Sequence, residues 1–120
     1  GSAVVDLIAP TAFTSAGFAS DVAGTGASSY SIAGAASIFV GLAGSMGNDA
    51  ANATVVISSD GSEADVTVNV AADAVTARVV DTGITSDAYA QSVTLTATAT
   101  ITDTSGNVST AATDTATIGA

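Results

Sequence analysis

The 120-residue sequence contains no cysteine, histidine, lysine or tryptophan, and Arg78 is its only basic residue. Without cysteine and histidine, the chain lacks the usual ligands of zinc and the usual nucleophile and base of hydrolytic enzymes. Without lysine as well, only a carboxylate could activate a serine or threonine hydroxyl. The sequence also has no phosphate-binding loop and no dinucleotide fingerprint. These absences predict a protein that is not an enzyme.

Positive charge is nearly missing, because eleven acidic residues face the one arginine and give a formal net charge of −10. Such a surface repels nucleic acid and anionic membranes, and it attracts cations. The longest apolar run, from Ile38 to Ala43, is far shorter than the roughly 20 residues that a membrane-spanning helix needs. We therefore expect no nucleic-acid partner and no insertion into a membrane.

Aromatic residues make up only 4% of the chain, and strong acidity with few aromatics is one mark of disorder. Hydrophobic residues nevertheless make up 48%, and between residues 92 and 102 they alternate strictly with threonine. That period places the apolar side chains on one face of a strand and the threonines on the other. The apolar set is Val93, Leu95, Ala97, Ala99 and Ile101, and the threonine set is Thr94, Thr96, Thr98, Thr100 and Thr102. A packed β core is therefore expected rather than a disordered chain.

Turn-forming clusters at residues 58–62 and 103–107 separate alternating segments and predict two hairpin loops. Asp114 falls among the inward positions of the last strand, which indicates a bulge or an edge position. Gly1 and Ser2 are typical of an expression scar, which leaves residues 3–120 as one domain. Seven or eight short strands predict an all-β, immunoglobulin-like antiparallel β-sandwich. The expected strands are 4–13, 30–32, 38–42, 54–57, 66–70, 75–80, 92–102 and 108–118, with loops at 15–26 and 44–53.

Two segments resemble a known family. The opening Asp6-Leu7-Ile8-Ala9-Pro10-Thr11 is similar to the start of immunoglobulin-like repeats in giant bacterial adhesins. Residues 96–109, with Asp103-Thr104-Ser105-Gly106-Asn107 at the turn, resemble the closing hairpin of those repeats. The repeats occur in RTX-type biofilm adhesins exported by type I secretion, including the extender region of ice-binding adhesins. The resemblance implies a cell-adhesion extender module, extracellular on a bacterial cell surface, whose partners are neighbouring repeats and which is monomeric in isolation.

A calcium site is expected at one end of the sandwich. In an immunoglobulin-like sandwich the first strand begins where the last hairpin turns, so Asp6, Asp103 and Asn107 should gather at one pole. Calcium takes roughly 6–8 oxygen ligands, which carboxylates, amides and loop carbonyls can supply. An aspartate that hydrogen-bonds its own turn backbone explains the same residues without a metal. The resemblance favours calcium, because it implies repeats whose linkers are stiffened by that ion.

Asp60, Glu63 and Asp65 form a second acidic cluster beside the hairpin loop at residues 58–62. They are candidate ligands of a further calcium ion, or a carboxylate pair for acid–base chemistry. A solvated hairpin tip is the alternative that we favour, because nothing aromatic or basic nearby could hold a sugar. Arg78 is expected to point outward and to pair with a carboxylate on a neighbouring strand.

Two other functions remain open. A sandwich that binds a sugar, ice or a protein would show exposed aromatics, for example Tyr89 beside Phe18, whereas we expect most aromatics to be core. Ranks of threonine can bind ice, but one strand of threonine is not a plane, so a structural role is expected for residues 94–102. A subunit of a surface layer, phage tail or pilus could use the same fold.

Overall fold

Alternating burial produces eight strands in residues 7–120, the part of the chain that the computed structural model describes. The one helical element recorded there is a short 3-10 turn at Ser86–Ala88. None of these residues belongs to a helix long and apolar enough to cross a bilayer. The strands are β1 (Ser15–Ala19), β2 (Ser29–Ser31), β3 (Ser37–Ala43), β4 (Ala50–Ser59), β5 (Val66–Ala71), β6 (Ala77–Thr85), β7 (Thr94–Asp103) and β8 (Ala112–Gly119). The all-β prediction is confirmed.

The strands form two sheets that pack as a sandwich. One sheet has three strands in the order β1-β3-β6, and the other has five in the order β2-β8-β7-β4-β5. The order β1-β3-β6 matches the A-B-E arrangement of immunoglobulin domains, and β8-β7-β4-β5 matches G-F-C-C′, so the predicted fold class is confirmed. One pair departs from the antiparallel prediction, because β2 runs parallel to β8 from Ser29 to Ser31.

The core lies between the sheets and follows the alternation that the sequence predicts. All five apolar residues from Val93 to Ile101 are buried, whereas the intervening threonines are partly exposed. On β5 the faces are as expected, but Val66, Val68 and Val70 are only half-buried because β5 is an edge strand. Opposite them, the three-stranded sheet contributes fully buried Ile38 and Val40. The strictest sequence alternation therefore coincides with the best-buried strand.

The antiparallel order gives the sandwich two distinct ends. At the N-terminal pole, residues 8–11 line a small cleft with Met46 and Asp49, and the amide of Thr104 donates to the carbonyl of Asp49 at 2.9 Å. At the C-terminal pole, the loop after β4 meets the start of β7, and the hydroxyl of Ser31 donates to the carbonyl of Ala120. The chain therefore enters at one pole and leaves at the other. The described part measures 61 × 29 × 18 Å between Cα atoms.

Several expected boundaries were wrong. Residues 7–14 are not a strand, although Phe13 is buried; Pro10 has no amide hydrogen to give to a ladder. Residues 15–19, expected to be loop, form β1, because Phe18 buries its ring and the strand pairs with β3. Likewise β4 begins at Ala50, inside the expected loop, while β6 begins at Ala77 and β8 only at Ala112. Small residues that look loop-like can form strands where a neighbouring strand supplies the partner groups.

Arg78 points inward, so the prediction of an outward side chain was wrong. It pairs in register with buried Leu42, its guanidinium lies 5.6 Å from the centre of the Phe13 ring, and its side chain is 9% exposed. Its carboxylate partner is Asp73, five residues earlier in the loop that precedes β6, at 2.5 Å. The alternation of residues 75–80 is broken by adjacent Val79 and Val80, which hid the true phase of the strand.

Candidate functional site

Asp103 is the centre of the turn at the N-terminal pole. It is the last residue of β7, it is 2% exposed, and its inward phase continues that of Ile101. Its Oδ1 accepts hydrogen bonds from the amides of Ser105 (2.9 Å) and Asn107 (2.8 Å). Its Oδ2 accepts from Nδ2 of Asn107 at 3.0 Å. Asp103 therefore organises the turn by bonding its backbone, which is the metal-free alternative expected from the sequence.

The remaining turn geometry follows from these bonds. Gly106 has a φ of +91°, a conformation that residues with a Cβ adopt only with strain, and its amide donates to the carbonyl of Asp103 at 3.1 Å. Asn107 closes the turn, because its carbonyl accepts a hydrogen bond from the amide of Asp103 at 2.9 Å. The structure thus brings Asp103 and Asn107 together as predicted. Asp6, the third predicted ligand, lies outside the described residues.

The second predicted cluster lies at the C-terminal pole. The Oδ1 of Asp60 accepts from the amide of Thr94 at 2.8 Å, and the Asp60 amide donates to the Thr94 carbonyl, which ties the hairpin to β7. Oε1 of Glu63 accepts from the hydroxyl of Ser59 at 3.0 Å. Asp65 is exposed, and the structure records no hydrogen bond to its carboxylate from the described residues. Two of these three carboxylates therefore have structural roles in shaping the hairpin.

Within residues 7–120, no group of three or more acidic, histidine or cysteine side chains converges as a metal site would require. Asp21 is an example of a carboxylate used within its own loop, because it accepts hydrogen bonds from the amides of Ala23 and Thr25. Those backbone bonds, led by the one from Thr25, lower the pKa of the carboxyl from its usual value. Six of the ten described acidic side chains accept a hydrogen bond from a backbone amide, and the described residues of one module form no cluster that could hold a cation alone.

The aromatic residues are core, as predicted. Phe18 and Tyr30 meet edge-to-face with ring centres 6.1 Å apart, and the Tyr30 hydroxyl donates to the carbonyl of Ala19 at 2.6 Å. Burial raises the pKa of Tyr30 to about 12. Tyr89 is 6% exposed, and burial, together with the negative charges of Glu63 and Asp65, raises its pKa. No exposed aromatic patch therefore exists among residues 7–120 to mark a sugar or protein site.

A shallow groove of about 700 Å³ crosses the outer face of the three-stranded sheet. Its floor consists of small residues of the three strands, Gly17, Gly41 and Val79, and its rim carries Val22 and Gly24. Arg78 is the one charged residue along it, and its guanidinium is turned inward to Phe13. The groove therefore presents no carboxylate or other group that could act as an acid or base.

The outer face of the five-stranded sheet carries an array of threonines that sequence reasoning missed. On β8, Thr117, Thr115 and Thr113 lie directly opposite Thr94, Thr96 and Thr98 of β7. On the other side of β7, Thr54 lies opposite Thr100, and on β5 Thr67 lies opposite Val56 of β4. The alternating threonines of β8 were visible in the sequence, but their register with β7 was not. The threonines therefore form a plane, and the expectation of a single isolated ladder was wrong.

No protein-family model, no curated protein and no solved structure matches the chain.

Proposed function

We propose that this chain is a structural extender module of a tandem-repeat bacterial surface adhesin, and that it spaces an adhesive tip from the cell. The observation that carries the proposal is the placement of the chain ends. Residues 8–11 lie at the N-terminal pole, Ala120 lies at the C-terminal pole, and the long axis of the sandwich is 61 Å. Modules joined through these ends would add their lengths along one axis rather than fold back on one another.

Three further features support a mechanical role. The chain has no histidine, cysteine or lysine, the aromatic residues of its described part are buried, and the large groove presents no acid or base. Each of these removes support from catalysis or from small-ligand binding. Long antiparallel ladders, such as the pairing of β4 with β7 from Ala50 to Ser59, suit a domain that must resist unfolding. An acidic surface also discourages neighbouring chains from pairing their edge strands.

Calcium enters this proposal at the joint between modules. In a head-to-tail array the C-terminal pole of one module, with Asp60, Glu63 and Asp65, would face the N-terminal pole of the next. That next pole carries Asp103 and Asn107, and the adjoining chain carries Asp6. Ligands from both sides would meet the demand of calcium for many oxygens, which the described residues of one module do not meet. A bound ion would supply charge neutralisation and stiffness there, and no chemistry beyond that.

Thermal unfolding and small-angle X-ray scattering, on one module and on a tandem pair, test both parts. The maximum dimension of the pair should approach twice the 61 Å of one module. Saturating calcium should raise the melting temperature of the pair, since an ion at about 100 times its dissociation constant adds about 2.7 kcal/mol to the folded state. A pair that folds back to the length of one module would contradict the extender role.

Matched variants separate the joint from general electrostatics. Asp103→Asn removes a carboxylate charge at the N-terminal pole, and Asp81→Asn removes the same charge from the middle of β6, far from either pole. We expect the calcium response of the tandem pair to weaken with Asp103→Asn and to persist with Asp81→Asn. An equal response in both variants, or indifference of both wild-type proteins to calcium, would refute the calcium part and leave the extender role standing.

A further inference from the structure

The outer face of the five-stranded sheet consists largely of threonine. We call the outward side chains of β4, β5, β7 and β8 the threonine face. Its members are Asn52, Thr54, Val56, Ser58, Thr67, Asn69, Ala71, Thr94, Thr96, Thr98, Thr100, Thr102, Thr113, Thr115 and Thr117. No acidic residue within these strands lies on this face, although the chain carries a net charge of −10; exposed Asp60 and Asp65, which continue the outward positions of Ser58 and Thr67, lie at its C-terminal border. Arg78 lies in the other sheet.

The acidic residues of the sheet strands turn away from this face. Asp103 and Asp114 occupy inward positions of β7 and β8, and Asp81 belongs to the three-stranded sheet. The others described are in loops, at the hairpin tip or in the 3-10 turn. The negative charge of the described chain therefore lies at the poles, in the loops and at the strand positions Asp81 and Asp114, and it reaches the threonine face only at the border formed by Asp60 and Asp65.

The threonines of β7 and β8 also have hydroxyl groups that could bond another surface. For the threonines of β7 and β8, the structure records no hydrogen bond from a side-chain hydroxyl to another described residue. Threonine has a branched, stiff side chain, so ordering it against another surface costs little rotamer entropy. The face therefore offers fixed methyl groups and, on β7 and β8, hydroxyls without a described partner, with strands about 4.8 Å apart.

We propose that the threonine face is a self-association surface, on which the same face of a second copy of this chain packs. The net negative charge of the chain favours a second copy as the partner that packs on this face. Two copies that each carry −10 repel one another in most orientations, and the repulsion is least where the two contacting faces carry the fewest charges. A charged partner would gain little from a face that has charges only at its border, and a sugar would find no aromatic ring on it. Two such sheets can pack about 10 Å apart, as the sheets of a sandwich do.

The area of the threonine face determines how strong the self-association should be. From strand spacing and rise per residue, the four strands of the threonine face present roughly 600 Å² of planar area, so two copies would bury about 1,200 Å² in total. That value is at the lower end of specific interfaces, which points to weak association. An isolated module should therefore be monomeric at micromolar concentration and dimeric near millimolar concentration. Chains that carry many modules in series would associate far more strongly, because each contact raises the effective concentration of the next. The inference does not depend on the extender role.

Sedimentation equilibrium of the single module up to about 1 mM tests the inference. The weight-average mass should rise from 11.3 kDa toward twice that value. Added salt should strengthen the association, because it screens the repulsion between two negative copies. A protein that remains monomeric at every concentration and at high salt would overturn the proposal. So would adsorption to ice or to a neutral polysaccharide without self-association, because the face would then have a different ligand.

Introducing a charge at the centre of the threonine face tests whether this face forms the interface. Thr98 lies between Val56 of β4 and Thr113 of β8, and it is partly exposed. Thr98→Asp and Thr98→Lys should each weaken association at least tenfold when tested alone, because like charges would face each other across the interface. An equimolar mixture of the two variants should associate again. Rescue by mixing cannot arise from a general folding defect, so failure of the mixture to associate would overturn the face-to-face arrangement.

A control variant carries the same added negative charge outside the threonine face. Ser105→Asp adds the same negative charge to the exposed turn at the N-terminal pole, away from the threonine face. We expect it to leave self-association within about twofold of the wild type. If Ser105→Asp weakened association as strongly as Thr98→Asp, net charge rather than the threonine face would control self-association, and the proposal would be wrong.

Discussion

The two sheets of this sandwich are held together in different ways. In the five-stranded sheet, β7 pairs with β8 and β4 pairs with β5 without any break in register, and the pairing of β4 with β7 shifts by one residue at the start of β4, between Ala50 and Asn52. In the three-stranded sheet, the register of β3 and β6 shifts by two residues between Ser37 and Phe39, and Gly83 of β6 takes a φ of +73°. The five-stranded sheet is thus the more regular ladder, whereas the three-stranded sheet is short and has the larger register shift.

Side-chain hydrogen bonds compensate for that irregularity. The hydroxyl of Thr82 donates to the carbonyl of Ile38 at 2.6 Å, beside the register shift. Two more bonds reach across from the five-stranded sheet, one from Tyr30 of β2 to the carbonyl of Ala19 and one to Asp114 of β8 from the amide of Phe18. The backbone ladder of the three-stranded sheet is therefore supplemented by side-chain hydrogen bonds of buried Thr82 and Tyr30 and of half-buried Asp114.

The largest expected effect compares the same substitution in each sheet. Ile57 of β4 and Ile38 of β3 are both fully buried, and replacing a buried isoleucine by alanine costs about 2–5 kcal/mol. We expect Ile57→Ala to lie in the upper half of that range, because the regular ladder cannot collapse around the cavity. Ile38→Ala should lie in the lower half, because the neighbouring register shift gives the backbone room to relax. Urea unfolding of both variants measures the difference, and equal losses would contradict the contrast between the sheets.

The same contrast explains which parts of the fold were predictable from sequence. β7 was predictable because strict alternation from Val93 to Ile101 reflects one buried and one solvated face. β1 and the phase of Arg78 were not, because Ser15–Ala19 contains few apolar residues and Val79 and Val80 are adjacent. There the partner strand, not the local sequence, decides the structure.

The candidate site divides in the same way. The turn at Asp103 and Asn107 could be predicted because its residues bond one another over four positions. The threonine face could not, because it arises from the register of strands that are distant in sequence, such as the pairing of Thr54 with Thr100. Whether Asp6 joins Asp103 stays a prediction, since Asp6 lies outside the described residues.

The next largest effect is the alkaline loss of the Tyr30 bond between the sheets. Burial raises the pKa of Tyr30 from 10.0 to about 12, so the unfolded chain loses this proton first as pH rises. The stabilisation from Tyr30 is therefore complete below pH 10 and is lost as pH rises to about 12, by roughly 2–3 kcal/mol in total. Unfolding curves of the wild type and of Tyr30→Phe, measured across this range, should converge, because the variant has no such group to titrate. Parallel curves would show that the Tyr30 proton does not hold the sheets together.

A smaller effect is expected at the other bond between the sheets. The Oδ2 of Asp114 accepts from the amide of Phe18 at 2.8 Å, at the exposed edge where β1 approaches β8. Asp114→Ala should cost about 1–2 kcal/mol, whereas Asp114→Asn, which keeps an acceptor oxygen, should cost less. Amide hydrogen exchange gives a local measurement, because the Phe18 amide should lose protection in the alanine variant and amides of β4 should not. Unchanged exchange at Phe18 would mean that this bond is not formed in solution.

The smallest effect concerns the ion pair at the edge of the irregular sheet. The hydrogen bond from Arg78 lowers the pKa of the half-exposed Asp73 below its usual value of 3.8. A depressed pKa stabilises the folded state above pH 3.8, and this contribution disappears as the pH falls below that value. The difference in melting temperature between wild type and Asp73→Asn should therefore be small at neutral pH and should shrink further in acid. Water screens the Asp73 side of the pair, and asparagine keeps an acceptor oxygen for the buried Arg78, so a large loss at neutral pH would show that the loop at Asp73, and not only the more regular ladder, determines the stability of the sandwich.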